Sequence, residues 1–216
     1  MLIIGAKGFA KEVLEVLHQL NQHDNVVFYD DVNADIPKKL YNKFSVLTSF
    51  SEAENYFKTI DNQFTIGIGN PILRKRIFDK FTEAGGVFTS VISPKAAIGH
   101  FGNSIGFGCN IMTGSVITND VKIENGVLIN LNCTIGHDSH IGSFVEMSPG
   151  VHISGNCVVG DYSVLGTNST VLPKISIGKN VIVGAGSVVT KNIPDNSLVV
   201  GIPAKVIKEL NPLNLD

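Results

Sequence analysis

The second half of the chain is written in sixes. From Cys109 onward it divides without a gap into hexads running from CNIMTG to SVVTKN, and the third residue of each is Ile, Val, Leu or Met, from Ile111 and Ile117 through to Val189. First positions are small or β-branched. Upstream, AAIGHF at 96–101 joins the same frame once one extra residue is admitted in GNSIGFG. A period of six matches neither a helix nor the alternation of a long strand. It describes a short strand followed by a turn, with first and third side chains pointing into a narrow interior. Gly, Asn and Asp fill the other positions, where the chain must bend and accept positive φ. Three such segments close one triangular coil of about 18 residues. The tract 96–192 is therefore expected to form a little over five coils of a parallel β-helix.

Cys109, Cys133 and Cys157 are 24 residues apart each time, so each takes a first position on a different face of the prism. They are read as small, reduced core residues, with neither disulfides nor a metal cluster between them.

The first ninety residues have another grammar. Leu2-Ile3-Ile4 reads as a strand, Gly5 to Gly8 as a glycine turn, and the segment after it as a helix with Val13, Leu14, Val16, Leu17 and Leu20 on its apolar face. Val26 to Tyr29 reads as a second strand ending in Asp30 and Asp31, and Phe64 to Ile68 as a third. A basic amphipathic helix from Pro71 to about Ala84 and a strand from Val87 to Ile92 then lead to Pro94. Alternating strands and helices predict a small parallel α/β sheet, a Rossmann-like subdomain. The turn at Gly5–Gly8 either cradles an anion on helix N–H groups or is only a tight bend; its spacing is not G-x-G-x-x-G. Asp30 stands 22 residues beyond Gly8, where a dinucleotide fold puts its ribose-binding acid. There is room for only half of a double nucleotide-binding unit, which argues against an NAD enzyme.

Lys plus Arg number 17 against 19 acids, a net charge of −2, so no nucleic-acid partner is expected. No stretch approaches the roughly 18 apolar residues that span a bilayer. MLIIGAKGFAKEV runs into a glycine turn rather than a cleavable leader. The expectation is a cytoplasmic protein with no membrane partner.

GAKGFAKEVLEVL, FYDD, IGIGN with ILRKRI, and a hexapeptide tract ending VVGIPAKVIKEL together resemble the sugar O/N-acetyltransferases of the sialic-acid O-acetyltransferase and bacillosamine-pathway type. The resemblance covers essentially the whole chain. It implies a left-handed β-helix, where general chirality rules would favour right-handed crossovers. It further implies a homotrimer with acetyl-CoA between neighbouring prisms, and acetylation of a sugar, in many members at the 4-amino group of a nucleotide-linked deoxysugar feeding glycan or polysaccharide synthesis. On this reading residues 1–93 bind the nucleotide sugar and 94–216 form the acetyltransferase domain. No metal is required.

INLNCTIGHDSHIGSF matches the family's segment in which a His precedes Glu or Asp. The resemblance thus makes His137 the general base and Asp138 its partner; without it a corner histidine is more simply a solvated loop residue. A base is what the chemistry needs, because the attacking amine or hydroxyl loses its proton as it meets the thioester. The other histidines, His18, His23, His100, His140 and His152, read as surface residues. For the acetyl-CoA site the resemblance implies Gly155, Thr167, Ala185 and Lys205, Lys205 otherwise being an ordinary exposed lysine. Glu146 falls there too, standing nine residues after the base where relatives often carry a second histidine. For the acceptor it implies Lys7, Gly8, Phe9, Asp30, Asp31 and Gly69, with Phe9 where many relatives have histidine. The competing readings are an O-acetyltransferase of sialic acid or another free sugar, a zinc β-helix enzyme of the γ-carbonic anhydrase kind, whose closely paired histidines are missing here, and a non-catalytic scaffold.

Overall fold

The computed structural model describes residues 1–214. The N-terminal unit is a six-stranded sheet of order β3-β4-β2-β1-β5-β6. Its elements are β1 (Leu2–Ile4), α1 (Gly8–Gln19), β2 (Val27–Tyr29), β3 (Lys39–Leu40), β4 (Phe44–Leu47), α2 (Phe50–Thr59), β5 (Gln63–Ile66), α3 (Pro71–Glu83) and β6 (Val87–Phe88). The strands are parallel except for the β3–β4 hairpin. Tyr41 and Asn42 turn that hairpin with φ of 51° and 54°, the doubly left-handed turn that matches strand twist. The sequence reading leaves 39–59 unassigned. A signal for α2 is nonetheless present, because Ser49 and Glu52 form a capping box at its start.

The chain leaves β1 toward β2 and later returns to pair β5 on β1's other side. The order therefore reverses at β1, and a crevice opens at the carboxyl ends of these strands. Gly67 keeps that crevice tight. A β-carbon there would stand 2.5 Å from the Ala10 β-carbon on α1.

The strand read as continuous from Val87 to Ile92 is two strands in two sheets. β6 closes the α/β sheet, and after Thr89 and Ser90 the strand β7 (Val91–Ile92) pairs with Asn110–Ile111 as the first rung of the β-helix. The repeat thus begins one hexad before 96: Ile92 in SVISPK holds the third, core-facing position despite Pro94. From there two-residue strands stack in parallel on three faces. The first carries Val91, Asn110, Leu128, Glu146, Val164 and Ile182, the second Ala97 through Val188, the third Ser104 through Ser176. A hairpin, Ser197–Gly201 with Ala204–Glu209, extends the first face.

Every third-position residue from Ile111 to Val189 is buried, as are the three cysteines. Burial pushes the Cys109 and Cys133 thiols up to about 11, so they are inert core groups. Sixth positions do the turning. From Gly114 to Gly186 each has positive φ, including Asp138 and, without glycine's freedom, Phe144, Tyr162 and Lys174.

The α/β unit is bolted to the first face. Val91, Met112 and Leu128 join the core beneath α1. Asn110 accepts from Thr65 Oγ1 at 3.0 Å and donates to the Ile66 carbonyl at 2.9 Å. From α3, Phe78 meets Phe107 and Phe144 with ring centroids 5.8 Å apart in both cases, and Phe144 stacks on Tyr162. Among the described residues no helix is long and apolar enough to cross a membrane.

Two substitutions test this packing. Ile135→Ala, in the prism core, is expected to lower stability by about 2–5 kcal/mol. Gly67→Ala sets two backbone-fixed groups against each other and is expected to cost about 1–3 kcal/mol. Both read out as a lower thermal midpoint by circular dichroism.

Candidate active site

A cavity of about 530 Å³ lies in the crevice of the α/β sheet. Its floor is the carboxyl ends of three strands: Ile4 with Gly5, Tyr29 with Asp30 and Asp31, and Gly67 to Gly69. All six residues expected on the acceptor side, Lys7, Gly8, Phe9, Asp30, Asp31 and Gly69, line it. α1 starts at this cavity with no acid in its first turn and no side-chain cap from Lys7. Its first N–H groups and dipole are thus available to an anion. Arg76 and Lys80 of α3 add cationic side chains to the opposite wall. The sequence reading noted the basic helix but did not assign these two; their i, i+4 spacing behind IGIGN was the available signal.

The two aspartates differ in what they have left to offer. Asp30 is buried, and its carboxylate accepts from the backbone N–H groups of Ala6, Val32 and Asn33 and from the Asn33 amide at 3.0–3.2 Å. Those bonds occupy its lone pairs, so it stitches the glycine turn to the loop after β2. Asp31 is more open. It accepts from the Tyr29 hydroxyl at 2.6 Å and lies 3.8 Å from the Lys80 ammonium. Burial and then Asp31 raise the Tyr29 pKa, which keeps that phenol a donor.

His137 stands at the corner between the second and third faces of the prism. Because Asp138 turns through φ of 56°, its carboxylate folds back onto the preceding ring, and His137 Nδ1–H donates to Asp138 Oδ2 at 2.6 Å. That leaves Nε2 as the nitrogen carrying the lone pair. The ring lies over Gly155, one coil on; a β-carbon there would fall 2.6 Å from Nε2. The other outward histidines of the repeat are elsewhere: His140 contacts Glu124 at 2.9 Å and His152 contacts Thr134 at 3.0 Å.

Thr167 and Ala185 are stacked on successive coils, but at the corner between the first and second faces, not at the corner of His137 and Gly155. Lys205 lies in the terminal hairpin, opposite Val200. Glu146 is on the first face, against Gly69. His137, Gly155, Thr167, Ala185 and Lys205 do not line the α/β cavity; of the acetyl-CoA candidates only Glu146 comes against a residue that does, Gly69, so one copy of the chain does not bring His137 to the cavity. Among the described residues no group of three His, Cys, Asp or Glu side chains could hold a metal ion.

Residues 1–81 match the PglD N-terminal domain, and residues 156–191 match the bacterial transferase hexapeptide, a run of six repeats. No curated protein is significantly similar to the chain. Among solved structures, the acetyltransferase domain of PglB from Neisseria gonorrhoeae FA1090 is 31% identical, with 95% of this chain and 98% of that one covered and a TM-score of 0.87. PerB from Caulobacter crescentus, in complex with CoA and GDP-perosamine, is 29% identical over 96% of both chains, with a TM-score of 0.87. WeeI from Acinetobacter baumannii AYE is 29% identical over 95% of this chain and 98% of that one, also at 0.87. A glycine-turned α/β unit fused to a left-handed hexapeptide prism, matched along its length by these structures, places the chain in the family of hexapeptide sugar acetyltransferases.

Proposed function

We propose that the protein transfers the acetyl group of acetyl-CoA to an amino group, the 4-amino group, of a nucleotide-linked deoxysugar. The observation that carries this reading is the cavity at the sheet's switch point. It combines an uncapped helix N-terminus and cationic side chains for a diphosphate with a free acidic edge at Asp31 for a base or ribose. The PerB structure, with CoA and GDP-perosamine bound, supports the same pairing of ligands.

On this reading residues 1–93 hold the nucleotide sugar and 94–216 carry the transfer. Asp138 orients the His137 ring. As the amine nitrogen bonds to the thioester carbon, its proton passes to His137 Nε2. The carbon–sulfur bond then breaks, and the imidazolium returns the proton to the leaving thiolate. Gly155 gives the base its place, Thr167 and Ala185 line the donor groove from the other corner of a neighbouring prism, and Lys205 is the partner of a CoA phosphate. The separation of His137 from the α/β cavity within one copy supports an assembly in which a neighbour's prism completes each site, and the homotrimer that the resemblance implies is the form we propose for it. The product enters surface polysaccharide or glycan synthesis.

The experiment is a mass-resolved assay with acetyl-CoA and a panel of GDP-, UDP- and dTDP-linked 4-amino sugars, with free sialic acid as the oxygen acceptor. The expected result is an acetyl adduct on an amino sugar; acetylation of sialic acid alone would overturn the assignment to nitrogen. His137→Ala is expected to lower kcat by roughly 10²–10⁴ with an unchanged circular dichroism spectrum. Wild-type turnover in that variant would remove His137 as the base. Gly155 has no need of positive φ, so Gly155→Ala is expected to fold normally, displace the ring and lower kcat by about 10-fold or more, with little change in the acceptor KM.

A further inference from the structure

Second-position side chains point out of the prism, and on the first face they form the column Asn110, Leu128, Glu146, Val164, Ile182. Asn110 and Leu128 are buried beneath the α/β unit, whereas Ile182 is exposed. Glu146 is the one charged member, at the step where the covering unit ends. Its carboxylate rests against Gly69, with Oε1 3.3 Å from where a β-carbon on that residue would stand. Gly69 lines the nucleotide-sugar cavity. Glu146 therefore stands at the cavity's rim on the prism side.

Arg74 holds that position in place. Arg74 of α3 is 2% exposed, and its Nη2 donates to the carbonyls of Phe144 and Val145 at 2.7 and 3.0 Å. Those two peptide groups immediately precede Glu146. Among the described residues the guanidinium Nε and Nη1 find no hydrogen-bond partner, and Glu146 is the leading negative charge acting on it. Arg74 thus fixes the backbone that presents Glu146 and sets a buried positive charge behind it. The only protein hydrogen bond to that carboxylate among the described residues is a long one, 3.4 Å, from Ser148 Oγ. Most of its acceptor capacity faces the rim.

We infer that Glu146 is an acceptor-side specificity residue: its carboxylate takes a hydrogen bond from the amino group of the sugar that reaches past Gly69 toward the prism. This rests on the proposed nucleotide-sugar function and departs from the sequence expectation that Glu146 belongs to the acetyl-CoA site. A carboxylate forms a charge-assisted bond of opposite full charges with a sugar ammonium, which a neutral hydroxyl in the same place does not match. It therefore selects amino sugars over their hydroxyl counterparts. The bound ammonium gives up one proton to solvent before attack; one N–H then stays on Glu146 while a neighbouring copy's His137 takes the proton lost as the amide forms.

The test is calorimetric binding by the wild-type protein and Glu146→Gln, a near-isosteric change whose fold is checked by its melting curve. The ligands are GDP-, UDP- and dTDP-linked 4-amino-4,6-dideoxy sugars, the nucleoside diphosphates alone, the 4-hydroxyl counterparts and acetyl-CoA. The variant is expected to bind the amino sugar about 10-fold more weakly or worse, with its affinities for the nucleoside diphosphate, the hydroxyl sugar and acetyl-CoA unchanged. An amino-sugar Kd that moves less than about threefold, or an acetyl-CoA Kd that weakens with it, overturns the inference. Binding of nucleoside diphosphates but of no amino sugar by the wild type would overturn the proposed function itself, and this inference with it.

Discussion

Closure of the prism every third hexad is the constraint on which the rest depends. Each coil must return to its starting corner, so residues 18 apart stack whatever their identity. A sixth-position residue in left-handed backbone performs each turn, and the third-position aliphatic fills the space enclosed. The chemistry is a by-product of that geometry. Asp138 reaches back to His137 because the corner forces its φ to be positive, and Gly155 lies beneath the ring because it is one coil further on. A histidine at a corner of a stacked prism is rigidly held yet open to solvent.

The α/β unit adds a pocket that is fixed rather than tethered. Only Thr89 and Ser90 separate the last strand of its sheet from the first rung of the prism. The Asn110 bonds, the Phe78–Phe144–Tyr162 ring contacts and the buried Arg74 then set the orientation of one unit on the other. The crevice accordingly sits at a set height on the first face, where Glu146 lies against Gly69. Separation of the cavity from His137 within one copy follows from the same arrangement, since the α/β unit covers a face that does not border the His137 corner.

Hydrogen-bond capacity sorts residues that look alike in sequence. Asp30 and Asp31 are adjacent acids after the same strand, but one is saturated by backbone donors and the other retains an open edge. FYDD places both at the crevice without saying which is free. Arg74, Arg76 and Lys80 all come from one basic helix, yet Arg74 turns inward to carry a structural charge while the other two face the cavity. Their order along the helix is plain in the sequence. Which side of the helix meets the prism is not, because that depends on Phe107, Phe144 and Tyr162 from coils far along the chain.

The sequence alone determined the parallel prism, its core, the burial of its cysteines and the glycine-turn crevice, because these follow from local periodicity and local turn chemistry repeated many times. Handedness, and the roles proposed for His137 and Asp138, needed the resemblance. Only the tertiary structure decided where the repeat begins, how β6 and β7 divide between two sheets, which aspartate is free, and that Glu146 lies beside Gly69 while Thr167 and Ala185 occupy another corner. Those outcomes depend on contacts between residues tens of positions apart, with one unit's packing choosing the face of the other. A period of six specifies what points inward; it is silent about what comes to rest against the outside.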